Sequence, residues 1–254
     1  MGEAMSALSA DLLLGGAFAV TQIAALRLGE RAGLDSRAVF WLTVLGAVGA
    51  LLAGSLWTAT VSSDAGLLEV VLTGERGVMA ALAGAAAAGV AWLAFTRRPV
   101  LAYVDAVMPA VFLGYAIARL ACFVDGHCFG IVTDLPFGIT YPAGTNAHAA
   151  QVAAGLIGTD AARSMPTHPT QLYHAAAGVL GFALLLRIPL KPAGTRTALA
   201  LLGYGGARFV IEFFRGDAQP VMGALDLNQM LCLLMMACGI SLCGARHAFA
   251  RRSR

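Results

Sequence analysis

The chain has 254 residues, of which 59% are hydrophobic and 12% are charged, against roughly 45–50% and 25% in an ordinary soluble domain. So few polar residues cannot cover a soluble body of this size, and lipid must cover much of the surface instead. The net charge of +3 does not point to nucleic acid, because the basic residues sit between apolar runs, and five scattered cysteines without a CxxC pair give no disulfide framework.

Seven apolar runs follow one another, at 8–28, 38–61, 78–96, 101–122, 171–188, 197–214 and 226–244. Each is near the length needed to cross about 30 Å of hydrocarbon as a helix. The start, Met-Gly-Glu, lacks the basic region of a signal peptide, so the first run is expected to stay as a helix. The expected fold is an all-α integral membrane protein of seven transmembrane helices, forming a single membrane domain over 1–254. Among the 17 Lys and Arg residues, twelve fall on one side of a seven-span chain: Arg27, Arg31, Arg37, Arg97, Arg98, Arg187, Lys191, Arg196, Arg246, Arg251, Arg252 and Arg254. The positive-inside rule makes that side cytoplasmic, with the N-terminus outside and the C-terminus inside. The expected location is the bacterial cytoplasmic (inner) membrane.

The long linker at 123–170 then faces outward. Pro136, Pro142, Pro166 and Pro169, with glycines between them, mark turns rather than a long helix. A small periplasmic cap is expected there, with a short strand over Leu135–Tyr141.

Three polar clusters need explaining. The sixth run carries Tyr204, Arg208, Glu212 and Arg215, whose spacings of four, four and three put them on nearly one helix face. The ordinary reading is an internal salt-bridge stripe; the functional one is an anion grip by Arg208 and Arg215, with Glu212 orienting one of them. The fourth run ends in ARLACFVDGHCFG, which gathers Arg119, Cys122, Asp125, His127 and Cys128. The spacing matches no standard zinc pattern, no metal or cofactor is expected, and packing thiols are the ordinary reading of the cysteines. The third cluster, THPTQLYHAAAG, places Pro169 at a helix start, His168 at the helix mouth and His174 further in. Either histidine is a structural hydrogen-bonding residue or a proton acceptor near neutral pH.

Together, in this order, the clusters resemble the prolipoprotein diacylglyceryl transferases. The family's GRxGNFxNGExxG motif is similar to the stretch Ala118–Gly130, its RHPSQLYE motif to THPTQLYH, and its YGxxRFxxEFFR motif to Tyr204, Gly205, Arg208, Phe209, Glu212, Phe213, Phe214 and Arg215. GDAQ and LNQMLCLLMM further on add to the resemblance, which covers most of residues 100–240. It implies transfer of a diacylglyceryl group from phosphatidylglycerol to the lipobox cysteine of a prolipoprotein, or to a related acceptor, with glycerol phosphate leaving. It further implies that Arg119, Arg208, His168, Tyr204 and Glu212 serve this reaction; with the residues beside them, the candidates for phosphate or lipid binding are Arg119, Asp125, Arg208 and Arg215, and those for catalysis are His127, His168, Tyr204 and Glu212. The implied partners are the phosphatidylglycerol donor, the lipobox-containing preprolipoprotein or another thiol acceptor, and membrane lipid.

The chain also departs from the family. The histidine of the HGG segment has no counterpart in Met79-Ala80-Ala81, and the GGRxG arginine is lost within Ala53–Trp57. Two motif asparagines become Cys122 and Asp125, the motif glutamate becomes His127, and the glutamate after the later tyrosine becomes His174. These replacements raise the expectation that His127 takes over the missing histidine's work. The alternatives are a noncatalytic lipid-binding relative, a small-molecule transporter, and a membrane thiol or metal protein built on Cys122, Cys128 and His127. A transporter would be expected to show paired half-repeats, which the sequence lacks.

Overall fold

The computed structural model describes residues 2–61, 77–216 and 220–252. The Asp217-Ala218-Gln219 stretch and Arg254, singled out above, lie outside the described residues. The helices are α1 (Gly2–Arg31), α2 (Ser36–Val61), α3 (Val78–Phe95), α4 (Val100–Asp125), α5 (Asn146–Ala153), α6 (Thr170–Arg187), α7 (Thr195–Glu212) and α8 (Leu227–Arg252). An antiparallel pair of short strands, β1 (Pro220–Met222) and β2 (Leu225–Asp226), precedes α8.

Among the described residues, five helical stretches are long and apolar enough to cross a membrane: Leu12–Arg31, Ser36–Thr60, Val78–Phe95, Val100–Asp125 and Leu227–Arg246. The protein is therefore a multi-pass, mainly helical membrane protein. Helices α6 and α7 occupy the fifth and sixth expected runs with 18 residues each. Their apolar character is diluted by the polar residues they bury, among them Gln171 and His174 on α6 and Arg208 and Glu212 on α7.

The chain forms two compact units, one of residues 22–108 and 189–197 and the other of residues 1–21, 109–188 and 198–254. In the first, α2 and α3 pack backbone to backbone. A Cβ added at Gly49 would press on the Gly84 carbonyl and come within 2.7 Å of the Ala88 Cβ. Small residues at a helix contact allow this approach where no hydrophobic force drives helices together in lipid. The same unit buries Asp105 completely. Its carboxylate accepts the Gly194 amide at 2.7 Å and the Thr197 amide and hydroxyl at 2.8 and 2.5 Å, which caps the start of α7. Beside the start of α4 in this unit Arg98 pairs with Asp35 at 2.6 Å, and the other Asp35 oxygen accepts the Arg37 amide at the start of α2.

In the second unit α6 packs on α4 at Gly178, where a Cβ would lie 3.0 Å from the Phe112 carbonyl. Helix α7 packs on α8 at Gly205, where a Cβ would lie 3.0 Å from the Cys232 carbonyl. These contacts bring the polar faces of α4, α6 and α7 toward one another.

The linker after α4 folds as a cap of turns and isolated bridges around α5, a helix the sequence reading did not include. Leu135–Tyr141 is not a strand. The Gly138 amide turns back to the Leu135 carbonyl at 2.9 Å, while Pro136 has no N–H to give to a ladder. What remains is one bridge from Ile139 to Thr167 and another from Pro142 to Arg163. A small apolar core of Phe129, Tyr141 and Ala147, with Ile139 against it, holds the cap together.

Candidate functional site

The three polar clusters meet through their backbones at Gly130. Its amide donates to the His168 carbonyl at 2.9 Å, and the Ile131 amide donates to the Phe214 carbonyl at 2.9 Å. The His168 amide returns to the Ile131 carbonyl and the Gly216 amide to the Phe129 carbonyl. No side chain fits here: a Cβ on Gly130 would stand 2.5 Å from the His168 Cβ and carbonyl oxygen and 2.7 Å from the Phe214 carbonyl. Side chains add to the seam. The Thr170 hydroxyl donates to the Cys128 carbonyl, and the Gln171 amide donates to the His127 carbonyl at 2.5 Å. Gln171 also contacts the Tyr141 hydroxyl, whose phenol is pushed up in pKa by burial, so it remains a hydroxyl at neutral pH.

Beneath this seam, α4, α6 and α7 form a narrow cleft with a cavity of about 10 Å³, lined by Phe112, Tyr115, His174, Tyr204 and Arg208 among others. Arg208 is 2% exposed and His174 1%. Arg208 reaches Glu212 one turn on, with Nη2 3.5 Å from Oε2. Its Nε and Nη1 are buried without a hydrogen-bond partner, as are the Tyr204 hydroxyl and the His174 Nε2. Buried polar groups are normally paired, since each one left unpaired costs about 1–3 kcal/mol. Four such atoms on three side chains lining one cleft form a set of groups left over for a ligand.

Arg119 joins this set from α4. Its guanidinium lies 4.8 Å above the centre of the Tyr115 ring, and the Tyr115 ring stands edge-on to Tyr204 at 5.4 Å. The Tyr115 hydroxyl and the His174 Nδ1 are 2.9 Å apart, which fixes the imidazole with Nε2 as its remaining nitrogen. Glu212 is the hub at the other end. Its Oε1 accepts the Asn228 amide at 2.9 Å and lies 3.7 Å from Arg215 Nε. Arg208 and Arg215 thus share one carboxylate, and Glu212 orients both.

The remaining expected residues lie further out. His127 follows the end of α4 with its side chain 48% exposed, and its Nδ1 is 3.6 Å from the Asp125 carboxylate. Cys128 sits beside Arg119, with Nη1 3.9 Å from its sulfur. His168 is held apart from the cleft. Its Nδ1 is 3.0 Å from the Tyr173 hydroxyl, and its ring packs on Phe214 at 5.1 Å and faces Phe137. Among the described residues no three His, Cys, Asp or Glu side chains gather in a group able to hold a metal ion.

His168 and not His174 is among the catalytic candidates of the sequence, which does not mark Tyr115 or Asn228. The spacing from Tyr115 to Arg119 is one helical turn, the same signal that marked the α7 stripe, and it would have placed the tyrosine beside the arginine.

The family model for prolipoprotein diacylglyceryl transferase matches residues 11–244. The chain is similar to proteins called phosphatidylglycerol–prolipoprotein diacylglyceryl transferase in several bacteria. One from Methylocella silvestris is 32% identical over 249 residues, covering 92% of this chain and 85% of the relative. One from Chlorobaculum tepidum is 40% identical over 162 residues, covering 59% of this chain and 49% of the relative. One from Nitrosomonas europaea is 31% identical over 195 residues, covering 74% of this chain and 58% of the relative.

Proposed function

The chain belongs to the prolipoprotein diacylglyceryl transferase family, and on that premise we propose that it transfers the diacylglyceryl group of phosphatidylglycerol to the lipobox cysteine of a prolipoprotein. The observation that carries this reading is the buried Arg208 with Nε and Nη1 unpaired beside the unpaired Tyr204 hydroxyl and His174 Nε2. Such a cluster of donors suits the oxygens of a phosphate diester, which guanidinium N–H groups meet with charge-assisted hydrogen bonds.

In the reaction, the acceptor sulfur attacks the glyceryl carbon that bears the phosphate. The C–S bond forms as the C–O bond breaks, and glycerol phosphate leaves with the electron pair. Negative charge grows on the leaving phosphate, where Arg208 and Arg119 offset it in a site shielded from water. The Tyr204 hydroxyl and His174 complete the ring of donors, and Glu212 holds Arg208 in place with Arg215 behind it. The attacking sulfur must shed its proton. His127, paired with Asp125 on the exposed side of the cluster, is the base we assign to that step, because a peptide thiol at the membrane surface reaches it. His168 acts as a positioning residue, locking the start of α6 to the Phe214 segment.

The seven long helices, α1 to α4 and α6 to α8, are read as seven spans with the N-terminus outside, the C-terminus in the cytoplasm and the cap at the outer face of the bacterial inner membrane. The basic residues of the connecting segments support this orientation. The donor reaches the cleft from the bilayer, and the acceptor cysteine meets it at the interface.

The test places the purified protein in phosphatidylglycerol liposomes with a lipobox peptide and follows the peptide by mass spectrometry. A diacylglyceryl mass on the cysteine, absent with Arg208→Ala and with a peptide lacking the cysteine, is the expected result. No product, under conditions where a relative forms it, overturns the prolipoprotein assignment and leaves lipid binding without transfer.

A further inference from the structure

Two helix ends meet in the unit of residues 22–108 and 189–197. Helix α1 closes at Gly33, whose φ of 70° lets the Leu34 amide turn back to the Gly29 carbonyl at 2.9 Å. Asp35 then caps α2, its Oδ1 accepting the Arg37 amide at 2.9 Å. Helix α3 closes through the same kind of turn at Arg97, with φ of 54°, and the Arg98 amide returns to the Leu93 carbonyl at 2.8 Å. That turn sets Arg98 against the first one. Its Nη2 meets Asp35 Oδ2 at 2.6 Å, and its Nη1 lies 3.4 Å from the Tyr103 hydroxyl.

Residues of both turns and of the two helices wall a cavity of about 220 Å³, among them Arg37, Trp41, Trp92, Thr96 and Arg98. A single water needs only about 10–15 Å³ of such space, so the cavity admits a polar group of several atoms. The Trp41 and Trp92 rings stand 6.5 Å apart at 58°. Both Asp35 oxygens are engaged, one by the Arg37 amide and the other by Arg98. The Arg37 guanidinium makes no ion pair or hydrogen bond among the described residues. Two guanidinium groups therefore face one carboxylate that is already shared out.

We propose that this cavity binds the headgroup of an anionic phospholipid, with its phosphate against Arg37 and Arg98 and the rest of the headgroup beside the two indoles. Charge selects an anion, since the walls carry a net positive charge. The flanks select a lipid over a soluble phosphate. Phe40 and Phe95, next to Trp41 and Trp92 in the chain, are exposed and offer apolar surface to acyl chains at the same end of α2 and α3. Tryptophan rings sit at headgroup level in bilayers, and basic pockets between helices on the cytoplasmic side take up anionic headgroups. The leaflet, the cytoplasmic one, rests on the orientation read from the basic residues; the binding itself does not depend on the transfer reaction.

The experiment uses full-length Trp57→Phe protein, delipidated in a nonionic detergent, so that of the chain's three tryptophans only Trp41 and Trp92 report. Their emission is followed as dihexanoyl phosphatidylglycerol, dihexanoyl phosphatidylcholine or glycerol phosphate is added. A saturable change with phosphatidylglycerol alone is expected, and Arg37→Ala should raise its Kd roughly fivefold or more. Arg37→Ala keeps the backbone amide that Asp35 accepts, and its melting curve checks the fold; the comparison of the three ligands on the unaltered cavity decides the matter without it. An equal response to phosphatidylcholine would mean that charge is not read, and an equal response to glycerol phosphate would make the ligand a soluble phosphate ester. Either result overturns the proposal, as does a phosphatidylglycerol response that is absent or that Arg37→Ala leaves unchanged. The same titration in Arg208→Ala should saturate normally, so a failure of the transfer reading leaves this site standing. Loss of the response in Arg208→Ala would trace it to the cleft and overturns the proposal too.

Discussion

Arg208 Nη2 and Glu212 Oε2 stand 3.5 Å apart, one helical turn from each other, with both side chains all but sealed from solvent. This pair is a loose one, and two further nitrogens of the same guanidinium are unpaired. Replacing Arg208 by alanine should therefore cut transfer by roughly 100-fold or more, the scale on which loss of a preorganised charge-stabilising donor is felt. Arg208→Lys should recover little, because a single ammonium cannot offer the two-pronged contact. Glu212 is left without its Arg208 contact in the alanine variant, so thermal melting in detergent accompanies the rate measurement. A variant that melts normally and transfers at the wild-type rate sinks the phosphate assignment.

The histidines separate by environment. His174 has one nitrogen tied to Tyr115 and the other unpaired in the cleft, His127 stands exposed beside Asp125, and His168 is held by Tyr173 and Phe214. His174→Ala should weaken phosphatidylglycerol binding and transfer together, whereas His127→Ala should lower the maximal rate with little change in lipid affinity. His168→Ala should lower the melting temperature more than the rate per folded molecule. Titration calorimetry or native mass spectrometry with phosphatidylglycerol, set beside initial rates, distinguishes the three. Equal lipid binding by wild type and His174→Ala would remove His174 from the donor ring.

Much of this site is legible in the sequence because helix geometry is local. The spacing of Tyr204, Arg208, Glu212 and Arg215 follows from 3.6 residues per turn, and the structure joins Arg208, Glu212 and Arg215 through one carboxylate, with Tyr204 one turn before Arg208. The order of the motifs likewise anticipates that α4, α6 and α7 supply the cluster. What the spacing does not carry is the packing between helices. His174 enters the cleft because Gly178, one turn on, lets α6 approach α4 closely. The Leu135–Tyr141 segment alternates as a strand would, yet Pro136 and Gly138 turn it, and it keeps only scattered partners across the cap, Thr167 for Ile139 and Ser164 for Tyr141. Asp105 lies in an apolar run with no spacing that marks it. Its role as the cap of α7 depends on a contact 89 positions along the chain.

That cap gives a prediction about the fold rather than the chemistry. Asp105 accepts two backbone amides and a hydroxyl at the start of the helix that carries Arg208. Asp105→Ala leaves these donors buried without a partner, a loss of about 1–3 kcal/mol. A lower melting temperature and faster proteolysis near Gly194 are expected, while Asp105→Asn, which keeps one acceptor oxygen, should fall between. A melting curve for Asp105→Ala that overlays the wild type would show that the cap contributes nothing to stability.

Gly130 is the narrowest point between the three motifs, and a methyl group there has nowhere to go. Its Cβ would meet the His168 backbone on one side and the Phe214 carbonyl on the other, and backbone cannot swing aside as a flexible side chain does. Gly130→Ala should therefore force the seam apart, at a cost of about 1–3 kcal/mol typical of overpacking. The displacement also moves the Cys128–Gly130 segment, and with it the sulfur that Arg119 touches, so activity should fall further than stability does. Gly223→Ala is a useful companion, because it too adds a methyl group, at a strained turn between β1 and β2 where a Cβ would meet nothing within 4 Å. Comparable melting losses in the two variants, with transfer lost only at Gly130, would tie activity to the seam itself. Loss of transfer in both would place the cause in general destabilisation.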